Sequence, residues 1–182
     1  MKKKLILFYA FTLLLTSSYH FQPRQNISIV PKPVKMVIAE GEFKFTSGIK
    51  IIIGEETDEL LKLGELVASS VKNLTGWSLP VKAEKLHQNT KGIVLLQIRK
   101  NILPDEAYTL EIKPDKIVIT AGSGAGIFYA EQSLFQMMPV NVNNKKYFTL
   151  PSVLIEDSPR FKWRGMHLDV CRHLFPLEFI KK

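Results

Sequence analysis

The sequence predicts an α+β fold: a mostly antiparallel sheet with helices on one face, followed by one strand–loop–helix unit. Three observations predict it. Short β-branched runs recur between residues 26 and 121. Two stretches, near 57–76 and 124–138, carry apolar residues at helical spacing. A last strand-like run begins at Trp163 and ends in charged residues just before Pro176.

MKKK opens the chain, followed by LILFYAFTLLL at residues 5–15 and then TSSYHFQ. A basic head, an apolar run and a small polar exit have the form of a secretory signal peptide. A spanning helix would need about 20 apolar residues, so residues 1–22 are expected to direct export rather than to cross a membrane, with cleavage near residues 17–21. No cysteine directly follows the apolar run, so a lipid-anchored signal has no attachment site. The exported chain is expected in the periplasm or outside a bacterial cell, with no membrane span after cleavage.

The net charge is +8 over 182 residues, of which Lys2, Lys3 and Lys4 supply three. The other basic residues are scattered and no aromatic stripe runs among them, so nucleic acid is not an expected partner. At 46% hydrophobic and 23% charged the composition is that of a globular domain. Cys171 is the sole cysteine, so no intrachain disulfide can form, and the core must hold the fold. As a nucleophile Cys171 would need a base in space beside it; adjacency to His173 along the chain does not supply one.

Residues 26–53 read as β: two prolines in PKP, apolar runs broken at Glu40–Gly41, then IKIIIG. In TDELLKLGELVASSVKNLTG, Leu60, Leu63, Val67, Val71 and Leu74 share a helical face. Thr57 can cap the start, Asp58 and Glu59 suit the positive end of the helix dipole, and Gly76 can close the other end. IVLLQI (93–98) is a strand. YTLEI (108–112) and KIVITA (116–121), joined by a turn at Pro114–Asp115, form an antiparallel hairpin. A second helix follows GSGAG, with Ile127, Ala130, Leu134 and Met138 on one face and Pro139 as its stop. NVNNKKYFTLPS (141–152) reads as a polar connector. Residues 23–150 are thus one α+β domain, and 151–182 the connector and a first β/α unit.

GSGAG sits where a dinucleotide-binding turn would, after a strand and before a helix. Its glycines at 122, 124 and 126 miss the G-x-G-x-x-G spacing, and no acidic residue follows at the distance a ribose needs. It reads as a turn that lets helix and strand approach closely. The acidic pairs Asp58–Glu59 and Asp105–Glu106 fall in a helix's first turn and in a loop, where capping and solvation account for them.

The run WRGMHLDVCRHLFPLEFIKK remains. As a strand, 163–170 places Arg164, Met166, Leu168 and Val170 on one face, apolar after its first residue. Trp163, Gly165, His167 and Asp169 take the other. Arg172 and His173 follow, then Pro176 can open a helix. In β/α barrels such strand ends build the active site. Three uses fit these residues. His167, Asp169 and His173 could hold a metal. An Asp–Arg pair could merely hold a loop. Or the rigid donor fork of Arg172 could grip vicinal hydroxyls or a carboxylate, with Asp169 fixing its rotamer.

Pro159, Arg160, Phe161, Trp163, Arg164, Gly165, Leu168, Asp169, Arg172 and His173 resemble the PRF-x-WRG-x-x-LD-x-x-RH opening of the catalytic barrel of glycoside hydrolase family 20, the β-N-acetylhexosaminidases. IVPKPVK and AGIFYAEQSLFQMMP are similar to that family's non-catalytic N-terminal domain. The resemblance implies removal of terminal N-acetylglucosamine or N-acetylgalactosamine from glycans with retained configuration. In that chemistry the substrate's acetamido oxygen attacks the anomeric carbon, an exception to the two-carboxylate scheme. It implies that Arg172 binds the terminal sugar; the spacing then makes Asp169 its orienting partner, with His173 in support, and nothing in the sequence calls for a metal or cofactor.

The family's catalytic Asp–Glu pair lies in a His-x-Gly-x-Asp-Glu context, which these 182 residues do not contain. The chain is therefore expected to hold only the first strand and the start of the first helix of a truncated (β/α)8 barrel, and to be inactive alone. The alternative is a stand-alone, non-catalytic module that binds glycans or a partner.

Overall fold

The computed structural model describes residues 27–85, 93–99, 101–140, 142, 145–169 and 174–181. The proposed signal peptide lies outside them. The elements in chain order are β1 (Lys35–Thr46), β2 (Lys50–Ile53), α1 (Asp58–Thr75), β3 (Val81–Ala83), β4 (Ile93–Ile98), β5 (Tyr108–Ile112), β6 (Ile117–Ala121), α2 (Gly124–Met137), β7 (Tyr147–Asp157) and α3 (Leu177–Ile180).

The strands form one sheet in the order β1-β7-β5-β6-β4-β2-β3. From β1 to β6 neighbours run antiparallel, and from β6 to β3 they run parallel. The parallel half follows from the helices. A strand that returns beside its predecessor in the same direction needs a crossover, and α1 supplies it between β2 and β3. Helix α2 carries the chain over β5, from β6 to β7. The β5–β6 hairpin stands as expected, Leu110 opposite Ile119. The connector reading of 141–152 fails from residue 147 onward. Tyr147–Asp157 is an eleven-residue strand held between β1 and β5, because Phe148, Leu150, Val153 and Ile155 supply a buried apolar stripe that the polar residues before them obscure. Pro151 has no N–H to give a ladder, and the β1 pairing slips there, from Ile38 opposite Val153 to Glu42 opposite Pro151. Gly41 makes the slip possible with φ +94°, and a side chain there would also strike Pro114.

Three residues join β1 to β2, yet five strand spacings separate them in the sheet. Flat, that is about 24 Å at ~4.8 Å per strand. Four Cα steps of ~3.8 Å reach about 15 Å. The sheet must therefore curl until its halves approach. An aromatic stack fills the closure: Phe45 lies 4.8 Å from Phe148, and Trp77, just past the end of α1, lies 5.7 Å from Phe148.

Helix α1 begins and ends as its sequence dictates. Thr57 accepts the Leu60 N–H at 3.2 Å, and Gly76, at φ 76°, returns its N–H to the Lys72 carbonyl at 2.8 Å. Its buried face is Leu60, Gly64, Val67 and Val71. Leu74, expected on that face, is exposed, while Gly64 belongs to it. At Gly64 the helix presses onto the sheet so closely that a β-carbon would stand 2.8 Å from Val81 Cγ1 and 3.5 Å from Ile53 Cγ2. Helix α2 buries Ile127, Ala130 and Leu134, with Met138 just past its end, all as predicted. It has no acidic residue in its first turn, and the Ser123 side chain turns instead to the Asp105 carbonyl. Glu59 of α1 brings its carboxylate beside Gly124, where a β-carbon would meet it at 2.7 Å. The anion thus comes to the positive end of α2 from the neighbouring helix.

Replacing Gly64 by Val should cost about 2 kcal/mol through overpacking against Val81 and Ile53, lowering the melting temperature by about 6 °C. Thermal unfolding followed by circular dichroism measures it.

Candidate functional site

The residues expected to form the site are only partly within the described structure. Arg172 and His173 lie outside it, as does Cys171. Asp169 is exposed, in a segment with no regular structure. The strand expected over 163–170 is not formed in its described part, 163–169. No described strand pairs with it, so its backbone groups have no ladder partner in the sheet. Its predicted apolar face is correspondingly uncovered: Met166 is 82% exposed and Leu168 is also exposed. Trp163 is 93% exposed. Pro176 does precede a helix, the single turn of α3.

What the structure brings together is a different set. Arg164 reaches back from this segment to the domain. Its Nη2 donates to Glu106 Oε1 at 2.5 Å and to the Tyr129 hydroxyl at 3.1 Å. Its Nη1 donates to Glu106 Oε2 at 3.3 Å and to the Phe161 carbonyl at 2.5 Å. Tyr129 in turn donates to Glu106 Oε1 at 3.1 Å. The guanidinium stands 5.8 Å from the centre of the Tyr129 ring, within cation–π range. Arg164, through its hydrogen bond, holds the Glu106 carboxyl below its ordinary value of 4.5, and Tyr129 adds to the effect. The Arg164 guanidinium is correspondingly pushed up by Glu106.

The acceptors are set by backbone. Ala107 donates its N–H to the Pro104 carbonyl at 3.0 Å and accepts the Gly122 N–H at 3.1 Å. A side chain at Gly122 would overlap the Pro104 carbonyl, and one at Gly126 would come within 2.5 Å of the Ala107 carbonyl. The glycine turn is thus used for close approach, as expected, and that approach brings Glu106 before β5 beside Tyr129 on α2. Sequence reasoning assigned Glu106 to a solvated loop and passed over Tyr129. The signal available was Arg164 itself, the one charged residue on an otherwise apolar face.

Three further polar features involve α2 or the residues it packs on. Asp157 accepts the Val34 N–H at 3.1 Å and the Tyr108 hydroxyl at 3.3 Å, and Tyr108 also meets Ser133 at 2.7 Å. Burial, with Asp157 adding, pushes the Tyr108 hydroxyl up to about 12. Gln136 receives the Val30 N–H and donates to the Val30 carbonyl, at 2.8 and 3.1 Å. The VPKP stretch, whose Val30–Pro31 bond is cis, is thereby tied to α2. Glu131 is 1% exposed and its carboxylate oxygens lack a hydrogen-bond partner of good geometry. Burial raises it from 4.5 to about 6, with Ser70 the polar group that opposes the shift. Glu131 was legible in part, since with Ile127, Ala130 and Leu134 it completes an i, i+3, i+4, i+7 stripe. Among the described residues no group of three His, Cys, Asp or Glu could hold a metal ion. No described helix is long and apolar enough to cross a membrane.

Comparison with known proteins relates the chain to the glycoside hydrolases. The sequence profile of glycosyl hydrolase family 20, domain 2, matches residues 26–158, and the chain belongs to that family. It is 29% identical over 157 residues to a β-N-acetylhexosaminidase of Cellulomonas fimi, covering 86% of this chain and 31% of that protein. It is 31% identical over 161 residues to a β-hexosaminidase of Vibrio furnissii, covering 86% and 24%. Among solved structures, the exo-β-N-acetylglucosaminidase of Vibrio harveyi in complex with N-acetylglucosamine matches with a TM-score of 0.68 and 25% identity, covering 84% of this chain and 22% of that one. The chain spans less than a third of the length of each of these relatives.

Because Glu131 favours its neutral form in the fold, ionising it costs stability as pH rises from its unfolded value of 4.5 through about 6. Between pH 4 and pH 7.5 the wild type should lose about 2 kcal/mol relative to Glu131→Gln, whose amide does not ionise. Urea unfolding of both proteins at the two pH values gives the difference.

Proposed function

We propose that this chain forms the N-terminal domain and the sugar-gripping segment of an exported β-N-acetylhexosaminidase. The enzyme would remove terminal N-acetylglucosamine or N-acetylgalactosamine from glycans. The observation that carries the reading is the run from Pro159 to His173, matching the family's barrel opening, immediately after a domain that belongs to that family. The complex of the Vibrio harveyi relative with N-acetylglucosamine supports the choice of sugar.

In this reading Arg172 donates its fork of N–H groups to adjacent hydroxyls of the terminal sugar, a task for which a rigid planar cation is suited. Asp169, three residues earlier, orients that guanidinium, and His173 supports the same loop. Their work is positioning: the terminal sugar is held so that its own acetamido oxygen stands over the anomeric carbon. Protonating the leaving oxygen and orienting the acetamido group need an acidic pair in the His-x-Gly-x-Asp-Glu context, and these 182 residues contain none. By themselves they hold half of a site and no general acid. Residues 1–22 direct export, consistent with an extracellular or periplasmic glycan substrate.

Two measurements on the 182-residue chain test this. With 4-nitrophenyl N-acetyl-β-D-glucosaminide, no nitrophenolate should appear above the buffer rate, and release would overturn the assignment of inactivity. Saturation-transfer NMR should detect N-acetylglucosamine at about millimolar affinity. Arg172→Ala should weaken that signal by about 10- to 100-fold, the loss expected for charged hydrogen bonds. An undiminished signal would overturn the role of Arg172.

A further inference from the structure

We propose that Arg164, Glu106 and Tyr129 form a positioning clamp. The clamp fixes the course of the described segment after β7, which leads in sequence to Arg172. This role for Arg164 rests on the sugar-binding reading of Arg172.

Arg164 joins three separate parts of the chain through one guanidinium: Glu106 before β5, Tyr129 on α2, and the Phe161 carbonyl of its own segment. The bond to the Phe161 carbonyl holds Arg164 against its own segment, which bends at Lys162, so Arg164 both braces the segment and ties it to the domain. Its side chain contacts two acceptors that are already hydrogen-bonded to each other, so little further ordering is needed to bind it. Those acceptors cannot drift apart. Backbone bonds at Ala107 and the close approach at Gly122 and Gly126 lock the loop before β5 to the start of α2.

Apolar burial does not do this work. Trp163, Phe161 and Met166 flank the clamp and are all exposed. An isolated exposed ion pair contributes little, and the side chains of Arg164 and Glu106 are 39% and 35% exposed. A forked arginine shared between a carboxylate, a phenol and a carbonyl is a network, and it specifies geometry rather than adding much stability. Arg172 follows Arg164 by eight positions along the chain.

The test compares the 182-residue chain with Arg164→Gln, Arg164→Lys and Glu106→Gln. Hydrogen exchange of amides 158–169 should quicken about fivefold in Arg164→Gln and Glu106→Gln, with the melting temperature and the sheet amides unchanged. Arg164→Lys keeps the charge but loses the fork, and should fall between. Protection in the wild type should persist down to below pH 4.5, because Arg164 holds the Glu106 carboxyl low. Exchange at wild-type rates in both glutamine variants overturns the clamp, whatever the sugar data show. The N-acetylglucosamine signal should drop in Arg164→Gln alongside the faster exchange. If exchange quickens while the signal holds, and Arg172→Ala abolishes it, the positioning role is overturned. If Arg172→Ala leaves the signal intact, the sugar-binding reading fails and the positioning role falls with it, while the exchange data alone decide whether the clamp exists.

Discussion

The seating of helix α2 against the β5–β6 hairpin is the contact on which the rest of the structure depends. At Gly122 and Gly126 the backbone comes so near the carbonyls of Pro104 and Ala107 that no β-carbon would fit. From that seat, successive residues of one helix meet different partners. Ile127, Ala130 and Leu134 enter the core, and Ser133 meets Tyr108. Gln136 takes hold of Val30, and Tyr129 completes the acceptor for Arg164. Opening the helix from the hairpin would loosen both the VPKP stretch before β1 and the segment after β7.

The same seating carries Glu131 into the apolar layer, and the contrast with Asp157 is instructive. Both are carboxylates at the border of the core. Asp157 accepts a backbone N–H and a phenol hydroxyl. Glu131 has no comparable donors, and burial raises it to about 6. A buried charge without donors is costly, and helix α2 tolerates one because the surrounding Ile127, Ala130 and Leu134 contacts outweigh it.

Much of the fold was legible because its signals are local. The caps of α1 at Thr57 and Gly76, the alternation in YTLEI and KIVITA, and the apolar face of α2 depend on neighbours a few residues away. Strand β7 was half hidden because its partners, β1 and β5, are remote in sequence and its first residues follow a polar turn. The curl of the sheet was hidden too, since it arises from a short β1–β2 link meeting a strand order that no local pattern encodes. At the candidate site, the run from Pro159 to His173 pointed to a segment, but not to how it is held. Glu106 looks like any solvated loop residue until Arg164, 58 positions away, is brought against it.

The sequence alone determined the α+β class, the helix ends, the hairpin, the family and the segment that carries Arg172, because periodicity, capping and a dense motif are written in neighbouring residues. Only the tertiary structure decided the mixed strand order, the course of 163–169 as irregular chain, and the pairing of Arg164 with Glu106 and Tyr129. Each of those is set by which distant backbones come within a few ångströms of each other, and that distance is a property of the folded chain rather than of any stretch within it.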